Sequence, residues 1–164
     1  VGAGTTVFLR IPQVDQRVTR GSAKSAATRK HGIAARTASI LIVEDNPGVL
    51  AVTAKTIEGA GYKVSQAADG DAALKMLKNS SAPFDLLCID GVIPGTSSAK
   101  VIEFVQRNSP DTRIIVCSGY IEEELLIRGI QTGDLAYVKK PYVSSELLGC
   151  ISDELEAAGF SSSH

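Results

Sequence analysis

The chain has 164 residues, enough for one domain of ordinary size with a real core. Apolar residues make up 44% of it, mean hydropathy is +0.10 and net charge is −1, which suits a soluble globular protein. No apolar run approaches the roughly 20 residues of a membrane helix, which excludes a spanning segment. Val1-Gly2-Ala3-Gly4 has neither the charged start nor the long apolar stretch of a signal peptide. The chain opens on Val1 rather than methionine, as a fragment or a processed piece of a longer protein would.

Residues 1–14 begin with Gly2-Ala3-Gly4-Thr5-Thr6, a turn-forming stretch. Val7, Leu9 and Ile11 then alternate toward Pro12 as one face of a strand. This resembles the last strand of a histidine-kinase ATPase domain, which commonly reads G-x-G-T-T before an alternating strand and a proline. An arbitrary leading strand is the plainer alternative. Residues 15–38 follow as a basic linker. Arg17, Arg20, Lys24, Arg29, Lys30 and Arg36 stand against Asp15 alone, giving +5, while residues 39–164 carry ten basic and seventeen acidic residues, giving −7. The linker is rich in Ala, Ser, Thr and Gly without apolar periodicity, so it reads as flexible. It has no interleaved aromatic and no helix-turn-helix follows, which argues against nucleic-acid binding. His31 in Lys30-His31-Gly32-Ile33 and the terminal His164 lack the context of a phosphorylated or metal-binding histidine.

From Ser39 strand and helix patterns alternate. Strands are predicted near 39–44, 63–67, 85–89, 113–117 and 135–138, and helices near 47–60, 70–79, 97–108, 121–129 and 144–157. Asn46 can cap the first helix with Pro47 at its first position, and Asp69 can cap the second. Glu122, Glu123 and Glu124 lie in the first turn of the fourth, where the helix dipole favours them. Leu147, Ile151 and Leu155 stripe one face of the fifth and read as core. Right-handed crossovers then build a doubly wound parallel α/β sheet over 39–158, with 159–164 as a tail. Cys88, Cys117 and Cys150 are an odd number at spacings that fit no zinc site, and they read as buried reduced thiols.

Four of the strands end in chemistry. The first closes on Glu44-Asp45-Asn46-Pro47, the third on Asp90-Gly91-Val92-Ile93-Pro94-Gly95, the fourth on Cys117-Ser118-Gly119-Tyr120, and the fifth on Tyr137-Val138-Lys139-Lys140-Pro141-Tyr142. In open α/β sheets sites collect at the C-terminal ends of strands. A lone Asp90 would be no more than a turn cap. An ordered series of acid pair, acid, hydroxyl and lysine is more. The series resembles the receiver (response-regulator) domain of bacterial two-component signalling, over about Ser39 to Glu156.

The resemblance implies a five-stranded flavodoxin-like (βα)5 sheet in the order 2-1-3-4-5. It makes Asp90 the phosphoacceptor, Ser118 the switch hydroxyl, Tyr137 the switch aromatic and Lys140 the invariant lysine, held by a cis peptide before Pro141. Asp45, Asp90 and the main-chain carbonyl of Val92 are the implied direct ligands of Mg²⁺, with Glu44 acting through water. The phosphoryl group is to come from a phosphohistidine domain of the same or another chain, with a histidine phosphotransfer protein as a further partner. Helix four, strand five and helix five form the implied output surface. The family usually has methionine at the place of Ile93 and glycine at that of Ser98, so the loop entering helix three is the departure. Val92 and Tyr120 stand where the family controls access of hydrolytic water. With residues 1–14, the whole reads as the tail of a cytoplasmic hybrid sensor kinase, soluble or membrane-anchored in its parent. It lacks the kinase's own catalytic motifs and acts as a slowly self-dephosphorylating acceptor.

Three alternatives stand beside this. A stand-alone response regulator keeps the fold but leaves the Gly4-Thr5-Thr6 strand unexplained. A phosphatase of the haloacid-dehalogenase type shares the strand-end aspartate but needs a second acid where Val92 stands. A flavodoxin-like electron carrier needs a phosphate loop after strand one, where Glu44 and Asp45 would repel a phosphate.

Overall fold

The computed structural model describes residues 37–160, apart from Ile121, Thr132 and Asp134. The N-terminal strand, most of the basic linker, His31, His164 and the last four residues lie outside the described part. Among the described residues five strands alternate with five helices. These are β1 (Ser39–Val43), α1 (Pro47–Gly59), β2 (Lys63–Ala67), α2 (Gly70–Asn79), β3 (Leu86–Asp90), α3 (Ser98–Asn108), β4 (Arg113–Ser118), α4 (Glu122–Ile127), β5 (Ala136–Lys139) and α5 (Ser144–Ala157). All strand pairs are parallel, in the order β2-β1-β3-β4-β5. Both the alternation and this order match the expectation.

The strands are apolar on both faces because helices cover both. On one face Ile40, Ile42, Cys88 and Cys117 pack with Leu50, Ala54 and Ile57 of α1 and Leu147, Ile151 and Leu155 of α5. The opposite face sets Leu41, Val43, Leu87 and Ile89 against Val101, Ile102 and Val105 of α3 and Leu125 of α4. Leu147, Ile151 and Leu155 are no more than 2% exposed. Each contributes about 1.5–3 kcal/mol by leaving water. Among the described residues no helix is long and apolar enough to cross a membrane.

The helix starts follow the sequence. Asn46 Oδ1 accepts from the N–H groups of Gly48 and Val49, and Asp69 Oδ1 from that of Ala72 at 2.7 Å. Most boundaries shift by one or two residues: β3, β4 and β5 run on to Asp90, Ser118 and Lys139, and α4 spans Glu122–Ile127 rather than 121–129. β3 begins at Leu86, and the Asp85 carboxylate just before it accepts from the N–H and Oγ of Ser39, at 2.7 and 2.9 Å, tying the start of β1. Packing begins before Ser39: Ala38, read as linker, is 4% exposed and its carbonyl accepts from Lys63 N–H. At the other end Phe160, read as tail, packs on the α5 core, and its N–H donates to the Leu155 carbonyl. All three cysteines are free. Cys88 and Cys117 are buried with their sulfurs 3.5 Å apart, and Cys150 is half-buried.

Candidate functional site

The strand order sets the ends of β1, β3, β4 and β5 side by side. Helix α1 leaves β1 toward one face of the sheet, while α2, α3 and α4 cover the other, so the crevice opens beyond the ends of β1 and β3. Glu44 and Asp45 stand at one side of that crevice and Asp90 at the other. Each offers a carboxylate oxygen, and the three oxygens lie within 4.8 Å of one another.

Lys140 reaches in from the end of β5. Its Nζ donates to Glu44 Oε2 at 2.5 Å and to Asp90 Oδ2 at 2.6 Å. The Lys140–Pro141 peptide is cis. Burial alone would lower the lysine pKa. The hydrogen bonds to Asp90 and Glu44 outweigh it and hold the ammonium well above its ordinary value. Lys139, one residue earlier, is exposed.

The three acids are held differently. Glu44 is 6% exposed, and its second oxygen accepts from Asn46 N–H at 3.2 Å. Asp90 Oδ1 accepts from Val92 N–H at 3.0 Å, a turn that begins the loop to α3. Asp45 is exposed, and among the described residues no group hydrogen-bonds its carboxylate. Three carboxyl groups share one lysine, so acidic groups outnumber basic ones in the crevice. The donors are all oxygens, and octahedral coordination at 2.0–2.1 Å separates them by about 3–4 Å. A small divalent cation therefore fits the donor set, its charge and, with slight closure, its spacing.

Ser118 and Tyr137 form a second group beside the first. Ser118 is fully buried at the end of β4, its Oγ accepting from Tyr120 N–H at 3.1 Å. A β-carbon added at Gly91 would lie 2.8 Å from Ser118 Oγ and 2.9 Å from Leu125 Cδ2. Glycine after Asp90 thus lets the hydroxyl and helix α4 close over the main chain. The Tyr137 hydroxyl donates to the carbonyl of Tyr120 at 2.6 Å and reaches that of Ser118 at 3.0 Å. It ties β5 to the loop after β4.

The structure thus brings Glu44, Asp45, Asp90 and Lys140 into one constellation, with Ser118 and Tyr137 linked to each other alongside. Val92 adjoins through its N–H bond to Asp90. Ser98 is a contact that sequence reasoning met only as a departure from pattern: it is 2% exposed, and its Oγ donates to the Asp90 carbonyl at 2.7 Å. A hydroxyl at the first residue of a helix carries no signal of that partner.

Comparison with known proteins agrees with this geometry. A family model described as "Response regulator receiver domain" matches residues 40–152. The chain is 26% identical over 160 residues to the sensor kinase CckA of Brucella abortus, covering 95% of this chain and 17% of the kinase. It is 32% identical over 114 residues to the phosphate regulon transcriptional regulatory protein PhoB of Escherichia coli, covering 68% of this chain and 49% of PhoB. The chain therefore spans half or less of the length of these relatives. A solved response regulator receiver domain protein from Methanospirillum hungatei JF-1 superposes with a TM-score of 0.69 at 27% identity, covering 76% of this chain and 98% of that one. With its matched span, its sheet order and its strand-end acids and lysine in agreement, the chain belongs to the response regulator receiver domain family of two-component signalling.

Proposed function

We propose that Asp90 accepts a phosphoryl group from a phosphohistidine, as a step in a phosphorelay run from a hybrid sensor kinase. The observation that carries this reading is the Asp90 carboxylate at a strand end, 2.6 Å from Lys140 and grouped with Glu44 and Asp45. An Asp90 oxygen attacks phosphorus in line, the P–N bond to the imidazole breaks, and an acyl phosphate forms. Lys140, freed from part of its contact with Asp90, follows the charge onto the transferred oxygens. Asp45, Asp90 and the Val92 carbonyl would hold Mg²⁺ directly and Glu44 through water, the ion adding positive charge against the phosphoryl oxygens. Ser118 then leaves its place over Gly91 to hydrogen-bond the new group. Tyr137 moves with the loop it already grips, altering the surface of α4, β5 and α5.

The phosphodonor has an approach. A cleft of about 660 Å³ opens beside Lys140, lined by Val49, Val52 and Thr56 of α1 and by Pro141 and Tyr142. Its apolar rim suits a helical phosphohistidine domain. Origin in a hybrid kinase is supported by the reach of similarity. The match to the sensor kinase runs over 160 residues, beyond the receiver, whereas that to the transcriptional regulator runs over 114.

Incubation with acetyl phosphate and Mg²⁺, followed by intact mass, tests the central step. An adduct of one phosphoryl group is expected on wild type and none on Asp90→Asn. Undiminished labelling of Asp90→Asn would sink the assignment.

A further inference from the structure

Asp90 can act as an acceptor only if its peptide is fixed, because the carboxylate projects from it. The ladder between β1 and β3 ends at the pair Val43–Ile89, so the Asp90 carbonyl lies beyond it. On the β4 side the same peptide is held through its Gly91 N–H, which donates to the Cys117 carbonyl at 3.0 Å, so its oxygen end is what the sheet leaves unheld. The Asp90 carbonyl itself takes the Ser98 hydroxyl at 2.7 Å. The loop between them is anchored separately. Gly70 N–H donates to the Pro94 carbonyl at 3.1 Å, and Thr96 Oγ1 donates to Asp71 Oδ1 at 2.5 Å. A β-carbon at Gly70 would stand 1.7 Å from the Thr96 carbonyl oxygen, so the loop lies hard against the start of α2. Neither anchor touches Asp90. Of the side chains that anchor this loop, Ser98, 2% exposed at the start of α3, is the one that reaches the Asp90 carbonyl.

We propose that Ser98 is a positioning residue for phosphoryl acceptance: its buried hydroxyl fixes the main chain of Asp90 and so aims the carboxylate. Glycine, usual at this place in the family, has no group for the task. The chain makes with a side chain a contact that the sheet no longer supplies. The inference rests on Asp90 as the acceptor. Positioning is most of phosphoryl-transfer catalysis, so a small loosening of that peptide costs rate more than stability.

The test uses the full chain as wild type, Ser98→Ala and Ser98→Thr, with three readouts. These are hydrogen exchange at the Val92 amide, which donates to Asp90 Oδ1; the rate of labelling by acetyl phosphate at saturating Mg²⁺; and the melting temperature. Ser98→Ala should exchange faster at Val92 and label about 3–10-fold more slowly, the worth of roughly one neutral hydrogen bond. Ser98→Thr keeps the hydroxyl and should label within about twofold of wild type, because the donor is retained. Should the added methyl unfold that variant, Ser98→Cys takes its place and should label between serine and alanine. Wild-type labelling and wild-type exchange in Ser98→Ala overturn the proposal, even if its melting temperature falls, since the contact is then structural alone. If wild type takes no phosphoryl group, the acceptor reading fails, and Val92 exchange decides whether Ser98 holds Asp90.

Discussion

Lys140 Nζ lies 2.6 Å from Asp90 Oδ2 and, by the same nitrogen, 2.5 Å from Glu44 Oε2. One ammonium therefore joins the ends of β1 and β3, which are neighbours in the sheet but 46 residues apart in sequence. The lysine that the reading assigns to the phosphoryl group is also the counter-ion that lets the acids stand together.

Replacing it should expose that second role. Lys140→Met leaves Glu44, 6% exposed, facing Asp90 without a cation. In chelator the variant should lose on the order of 2 kcal/mol, less than a fully buried pair because the lysine side chain keeps some exposure. The folded pKa of Lys140 is raised above its ordinary value, so its contribution is fully present below the unfolded pKa of about 10.4 and is lost as pH rises through the folded value. Thermal melts of both proteins should differ by a constant amount from pH 6 to about 10 and converge above it. A gap that closes between pH 6 and 8 would show that Lys140 is not the group responsible.

The acids themselves should rank. Glu44 already spends one oxygen on Lys140 and the other on Asn46 N–H, whereas the Asp45 carboxylate is exposed and uncommitted among the described residues. Asp45→Asn should therefore weaken Mg²⁺ binding more than Glu44→Gln, by about tenfold against two- to threefold, as expected for a direct ligand against one acting through water. Calorimetric titration reads this, and the reverse order would exchange the two roles.

Much of this was legible in the sequence because the signals are local. Each apolar run of strand length ends in its functional side chain, and Asn46 and Asp69 cap the helices that follow. The missed contacts are those whose partner lies far along the chain. Asp85 looks like one more strand residue, yet its carboxylate binds Ser39, 46 positions away. Gly70 looks like a turn glycine, but the reason for it is Thr96. Ser98 looks like a flaw in a pattern until its hydroxyl is seen on the Asp90 carbonyl. Tyr137 reads as a switch aromatic, with no sign in the sequence that its hydroxyl holds the carbonyls of Ser118 and Tyr120.

The start of the domain offers a plain check. Ala38 belongs by composition to the linker, yet it is buried, and its carbonyl accepts from Lys63 N–H at 2.9 Å. A chain beginning at Thr37 keeps that contact, and one beginning at Ser39 loses it. The shorter chain should be less stable by about 1–3 kcal/mol, for a lost acceptor and a small lost apolar group. Urea unfolding of both reads the difference. Equal midpoints would mean that the edge strand closes as well without Ala38.

The lifetime of the phosphorylated state depends on water. Hydrolysis of an acyl phosphate needs a water in line behind phosphorus, opposite the Asp90 oxygen. On the proposed reading, the side chains two places past Asp90 and two past Ser118 would flank that approach, and they are Val92 and Tyr120, 37% and 39% exposed. Neither carries a carboxylate or amide to orient water. Arg128 lies over the Tyr120 ring at 4.6 Å, and the Tyr120 carbonyl accepts from the Tyr137 hydroxyl. With nothing to position the nucleophile, dephosphorylation should be slow compared with receivers that carry polar residues at both places. Val92→Asn should shorten the lifetime by about 3–10-fold, by giving water one hydrogen-bonding partner. Tyr120→Glu should add to it, but less cleanly, because a glutamate there comes within reach of Arg128. Tyr120→Gln avoids that ion pair and is the better second variant. Decay of the labelled protein after removal of acetyl phosphate, followed by intact mass, measures each rate. If Val92→Asn and Tyr120→Gln both decay no faster than wild type, another group governs the water and these two side chains are bystanders.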